Sequence, residues 1–237
     1  MRQTGAKFLL IGLISLIVLF TGCGSEKKPD SQDGQKNEVA TSQKADVKST
    51  PAAEYHAKIK FKTSQGTEAL VIKKYQDHEK LEIDFAETKA VIKSRANDKG
   101  RVKYREDTAE GEKKLVAEIK YKDDGFKLVD ESESLLFKVK IKDDKIKIAN
   151  NEEMTDSFVI KKKNDNKFEI RDKSENEIGN VKFYPDNGKL KVKDAEENEI
   201  LIAKELKSTP APGPILFEEI PVKLRFIIIA ELLKRGN

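Results

Sequence analysis

Histidine, cysteine and tryptophan are nearly missing from this chain of 237 residues, at two, one and none. His56 and His78 stand on separate segments, with no cysteine beside either. The histidines and the cysteine therefore offer neither a nucleophile–base pair nor the ligand spacing of a zinc site. The chain also lacks a Gly-rich phosphate loop, Cys-x-x-Cys, Gly-x-Ser-x-Gly and His-Glu-x-x-His. Both histidines read as surface residues. The acid pairs Asp143-Asp144, Glu152-Glu153 and Glu196-Glu197 fall in predicted turns, where solvated charge accounts for them, and none has the spacing of a calcium loop. The expectation is a protein that is not an enzyme and has no cofactor and no metal.

A strong charge of either sign is absent as well. Lys and Arg number 46 against 42 Asp and Glu, and removing Arg2 and Lys7 with a leader leaves +2. That balance excludes a nucleic-acid-binding role resting on net charge. Any electrostatic function must come from how the charges are arranged.

There is one apolar run at the N-terminus. Met1 to Lys7 carries two positive charges and no acid, and Phe8 to Phe20 is then apolar except for Gly12 and Ser15. A basic start, a short apolar core and small residues at the exit form the plan of a secretory signal. A spanning helix needs about 20 apolar residues, more than this run supplies. The exit, Leu19-Phe20-Thr21-Gly22-Cys23, resembles the lipobox of bacterial lipoproteins, although Phe20 stands where leucine is usual. The resemblance implies cleavage of residues 1–22, acylation of Cys23 (palmitate among the acyl groups) and a lipid-anchored place in the cell envelope. Lipidation also explains a single thiol in an exported chain. Gly24 replaces the aspartate of inner-membrane retention, which points to the outer membrane in a cell that has two.

Residues 23–50 are polar, without aromatics, and from Gly24 onward hold five lysines against five acids. Such a stretch cannot bury enough surface to offset its ordering entropy, so a disordered tether is expected, reaching roughly 30 Å as a coil. Residues 51–237 are long enough for one domain. Within them Phe137-Lys-Val-Lys-Ile-Lys142 and Lys145-Ile-Lys-Ile148 alternate around Asp143-Asp144. Alternation with period two marks strands with one buried and one wet face, as antiparallel sheets allow.

The pattern repeats. Phe126-Lys-Leu-Val-Asp130 is matched 42 residues later by Phe168-Glu-Ile-Arg-Asp172, and Val139-Lys140 by Val181-Lys182. Each copy continues through a turn, a third strand (Lys145 to Ile148; Lys189 to Val192) and a fourth apolar stretch (Phe158 to Ile160; Ile200 to Ile202). A fainter copy starts at Leu81-Glu-Ile-Asp84 and ends at Leu115-Val-Ala117, and Tyr55 to Lys62 opens the domain. Three four-stranded units behind a hairpin predict a mainly β fold of roughly twelve antiparallel strands, a barrel or a sandwich.

After Ser208-Thr-Pro-Ala-Pro-Gly-Pro214 the character changes. Residues 221–235 run from Pro221, placed for a first helical position, to a stop at Gly236. Phe226 to Ala230 are apolar without a break, which on a helix means burial on every side, while the three isoleucines in succession also suit a strand. Repeated hairpins around such a helix resemble the tubby C-terminal-like superfamily, which includes tubby proteins, phospholipid scramblases and LURP-one-related proteins. The resemblance rests on the Phe126–Asp130 and Phe168–Asp172 strand starts and on Pro221 to Leu233, and it covers about 55–235. It implies a filled barrel with lipid or protein contact as its theme. No position matches the phosphoinositide- or calcium-binding residues of those families.

The remaining feature is lysine. Lys138, Lys140, Lys142 and Lys161-Lys162-Lys163 form a candidate stripe for anionic headgroups or polymers. Outward lysines also keep sheets soluble and discourage edge pairing, and that simpler account stands beside the first. Three functions follow. One is a non-catalytic binding or scaffold module whose partner is a phospholipid or an envelope protein. Another is a lipid carrier with an apolar cavity, and the last an unrecognised hydrolase.

Overall fold

The computed structural model describes residues 55–236. The signal segment, Cys23 and the tether lie outside the described residues. The leading hairpin is β1 (Ala57–Lys62) and β2 (Glu68–Lys74). The faint repeat becomes β3 (His78–Phe85), β4 (Thr88–Ala96), β5 (Val102–Asp107) and β6 (Lys113–Lys122). The second becomes β7 (Gly125–Val129), β8 (Leu135–Lys142), β9 (Lys145–Ala149) and β10 (Phe158–Asn164). The third becomes β11 (Lys167–Arg171), β12 (Glu177–Tyr184), β13 (Lys189–Asp194) and β14 (Glu199–Lys204). Each strand pairs antiparallel with its neighbours in sequence, and β1 closes on β14 through Phe61↔Ala203 and Lys62↔Ile202. The result is a fourteen-stranded closed barrel, two strands more than the repeat units alone supply, because the leading hairpin joins the ring.

Following the pairings once around the ring displaces the path by about fourteen residues, the stagger that tilted strands need in order to close. A barrel of that size is roughly 25 Å across between backbones, wide enough to take a helix once side chains fill the margin. Helix α1 (Val222–Lys234) takes that place. Phe226, Ile227, Ile228 and Ile229 are all fully buried, and the helix packs on β3, β4 and β6, which carry Leu81, Ile92 and Ile119, and on the buried segment around Ile215. A strand is excluded for these isoleucines, because a closed ring leaves no edge with which to pair.

The chain enters the interior twice. Beyond β14, Ser208 Oγ donates to the Asp165 carbonyl at one rim, and residues 211–215 then run buried through the barrel. Phe217 stacks on Phe158 near the other rim, and Lys173 bonds Glu219 there at 2.5 Å. From that rim α1 returns, with the Phe85 ring edge-on to Phe226 and Lys223 Nζ 2.6 Å from Glu106 near its start. Pro221 is the N-cap rather than the first helical residue. Its ψ of 137° is extended, and its carbonyl accepts from the Leu224 and Arg225 amides. Gly236, at φ +78°, stops the helix as expected.

The two ends of the barrel differ in charge. The entry end carries residue 55, the exit from β14 and the end of α1. The far end carries the β1–β2, β3–β4 and later odd–even turns. In those far-end turns the only base is Lys173, against groups such as Asp130-Glu131, Glu152-Glu153, Glu196-Glu197 and Glu218-Glu219. Three of them are one turn repeated. Asp130, Asp172 and Asp194 each accept, through Oδ1, the backbone N–H four residues on, and Glu133, Glu175 and Glu197 sit at φ of 64°, 66° and 65°. A side chain at positive φ crowds its own backbone, and glycine does not. Glu175→Gly is therefore expected to stabilise the domain by about 0.5–1 kcal/mol, read as a raised urea midpoint at unchanged slope. A lowered midpoint would show that the glutamate side chain contributes more than its backbone costs.

Candidate functional site: a lysine wall on the outer face

Strand alternation directs Phe137, Val139, Ile141, Ile146, Ile148 and Ile160 inward and leaves the residues between them outward. Tight turns then set which outward residues meet. The two-residue Asp143-Asp144 connection places Lys142 opposite Lys145 and Lys140 opposite Lys147, and Lys145 in turn faces Lys161 on β10. Lys127 faces Lys138 across β7–β8. Together they form a shallow cleft of about 500 Å³ walled by Lys138, Lys140, Lys142, Lys145 and Lys147, with Glu152, Glu153 and Met154 closing its far-end side.

Like charges set directly opposite across strands repel. At three other places on the barrel an outward carboxylate relieves this by sitting between two cations. Glu82 lies between Lys73 and Lys80, Glu118 between Arg101 and Lys103, and Glu169 between Lys163 and Arg171. The hydrogen bond from Lys163 holds the Glu169 carboxyl below its ordinary pKa, against the opposing effect of partial burial. At the wall, Lys138 and Lys127 share Glu152, and Lys140 is 3.0 Å from Asp124. Among the described residues, Lys142, Lys145, Lys147 and Lys161 have no carboxylate within salt-bridge distance.

The sequence-predicted stripe is thus divided. Lys138, Lys140, Lys142 and Lys161 share one surface. Lys162 has the parity of Ile160 and lies on the inner side of the sheet at the rim, with Nζ 2.8 Å from Asp165. Lys163 faces outward but is taken by Glu169 at 2.6 Å. Lys145 and Lys147 complete the wall, and the signal for them was the same alternation read together with the length of the Asp143-Asp144 turn.

The histidines stand apart from this surface. His78 Nδ1 is 2.7 Å from Asp77 and its ring stacks on Tyr75 at 4.4 Å, while the His56 amide donates to the Lys74 carbonyl. Among the described residues, no three His, Cys, Asp or Glu side chains gather as a metal site, and no helix is long and apolar enough to cross a membrane. A bilayer-spanning barrel shows an apolar band outward; here the outward positions of β8 to β10 are largely lysine.

A second polar group, hidden from sequence reasoning, lies inside the barrel near the entry end. The fully buried Glu231 carboxylate accepts from the Tyr104 hydroxyl, from Tyr121 at 2.7 Å and from Lys234 at 2.8 Å. Lys234 Nζ also lies 2.8 Å from Glu79, and Arg235 donates to the Gly125 carbonyl at 2.7 Å. Gly125 is required there, since a β-carbon at its φ of +156° would meet the Val139 carbonyl oxygen at 1.9 Å. Further along the helix, Arg225 Nη1 donates to the Ile215 carbonyl at 2.7 Å, and burial lowers the guanidinium's pKa against the pull of Glu218. These groups tie α1 into the ring and are closed to any large ligand.

No protein family, curated protein or solved structure matches this chain.

Proposed function

We propose that the protein is a lipid-anchored, non-catalytic binding module of the cell envelope, acting through the outer surface of its barrel. The observation that carries this reading is the filled interior. α1 and residues 211–217 occupy the space that a carrier would give to an acyl chain. An apolar ligand pocket needs about 300–1,000 Å³ of enclosed space; here that volume holds Phe217, Phe226 and the isoleucines of α1. The tubby-like reading is supported by the helix within a barrel of repeated hairpins, and fourteen strands depart from that family's roughly twelve. Cys23 supplies the anchor, since several acyl chains at about 0.8 kcal/mol per buried CH₂ hold a protein on a bilayer effectively permanently.

Two measurements test this. Cys23→Ser should move the protein from the membrane to the soluble fraction, and unchanged tight membrane association would remove the lipoprotein reading. Native mass spectra of the mature Cys23→Ser chain should show the bare mass even after mixing with phospholipid. Stoichiometric lipid that leaves only on denaturation would instead make the protein a carrier.

A further inference from the structure

The lysine wall gives this envelope module a more definite partner. We infer that the outer face of β8, β9 and β10, through Lys142, Lys145, Lys147 and Lys161, docks on the anionic phospholipid headgroups of the membrane that holds the anchor. The inference rests on the lipid-anchored reading above.

Three observations point to a lipid surface. First, the wall stacks lysine against lysine on adjacent strands with no carboxylate, among the described residues, within salt-bridge distance of Lys142, Lys145, Lys147 or Lys161, and Lys167 with Lys182 and Lys189 with Lys204 repeat that stacking along the same end of the barrel. Anionic headgroups supply the missing counter-charges over an area rather than at a point, which suits a surface several strands wide. Second, Lys142, Lys145 and Lys161 border the entry end, the end from which the chain leads back toward Cys23. Third, the far-end turns set many acids against Lys173 alone, whereas at the entry end the aspartate turns such as Asp143-Asp144 lie among lysines, so an anionic bilayer repels the far end more and favours one orientation.

Chain length permits the contact. β1 enters on the opposite side of the ring from β8, about 25 Å across by barrel geometry. The tether expected from the sequence over residues 23–50 would reach roughly 30 Å as a coil, which matches that span. The anchor then holds the wall at high effective concentration above the headgroups, so a weak electrostatic contact suffices to set orientation. The docked barrel presents its far-end turns away from the membrane.

The test uses the mature chain with Cys23→Ser, sedimented with vesicles of phosphatidylcholine alone or doped with phosphatidylglycerol. Binding is expected only to the anionic vesicles and should weaken steeply with added salt. Lys142→Glu/Lys145→Glu/Lys147→Glu should lower the partition constant on the order of a hundredfold or more. Lys62→Glu/Lys113→Glu/Lys114→Glu changes net charge equally near the far end and should leave binding close to that of the parent. Equal loss in both triple variants would mean that net charge alone governs binding, and would overturn the docking surface. So would absence of binding to anionic vesicles, or lysine-dependent capture by a soluble polyanion without vesicle binding. Membrane retention of the chain carrying native Cys23 is read separately, so the anchor can stand if the docking surface falls.

Discussion

Ile228→Asp is expected to abolish the cooperative unfolding transition of the barrel. Ile228 is fully buried in the middle of α1, surrounded by strand residues that offer a carboxylate no partner. Burying an unpaired charge costs several kcal/mol, comparable with the 5–15 kcal/mol that holds an ordinary domain together. Near-UV circular dichroism and urea titration should show a loosened or unfolded chain. Ile228→Val, which removes one methylene, should cost only about 0.5–1.5 kcal/mol and keep the transition. A normal melting curve for the aspartate variant would mean that α1 is not the core. The barrel would then need another explanation for its filled interior, and the carrier reading would regain its ground.

The second large effect lies at the other end of the same helix. Lys234→Met leaves the buried Glu231 carboxylate with two tyrosine donors and no cation, and should cost about 3–5 kcal/mol. Glu231→Leu/Lys234→Met removes both charges and should recover much of that loss. Equal destabilisation in the single and double variants would show that packing, not the ion pair, sets the cost. The same cluster predicts a pH dependence. Burial lowers the Lys234 pKa, but Glu231 and Glu79 together raise it further, so the folded chain holds this proton more tightly than the unfolded one. Stability from it is complete below the unfolded lysine value of about 10.4 and is lost as pH rises through the higher folded value. Tyr104 acts in the same direction. Burial first, then the Glu231 charge, pushes its pKa well above the ordinary value, so the folded state keeps a proton that the unfolded state releases above about pH 10. The domain should lose stability in alkali, with Tyr104 phenolate absorbance appearing only as the fold is lost. Early, fully reversible ionisation of Tyr104 in the folded protein would contradict this arrangement.

Much of the architecture was legible in the chain. The alternation in Phe137 to Lys142 and Lys145 to Ile148, and the 42-residue spacing between Phe126 and Phe168, located the strands of the second and third units. Leu81-Glu-Ile-Asp84 likewise opened the faint first unit, which the structure makes β3 to β6. Pro221 and Gly236 bracketed the helix to within one residue, and only the placing of Pro221 as cap rather than first turn differed. Most of the lysine wall was visible as Lys138, Lys140, Lys142 and Lys161, with Lys145 and Lys147 left out. Lys162 was misplaced by reading three successive lysines as one surface, whereas neighbours on a strand point to opposite faces.

Element type and facing are local properties, written in the period of a few residues, and here the chain was sufficient for them. Closure, register and the company each side chain keeps are long-range properties, set where segments far apart in sequence meet. The pairing of β1 with β14 depends on the stagger accumulated around the whole ring. The meeting of Tyr104 with Glu231 across 127 residues needs α1 inside that closed ring, and the confrontation of Lys145 with Lys161 needs the register of β9 on β10. The folded barrel alone therefore decided that residues 211–217 share the interior with α1, that the far-end turns hold Lys173 as their one base, and that unpaired lysines face one another across β8 to β10.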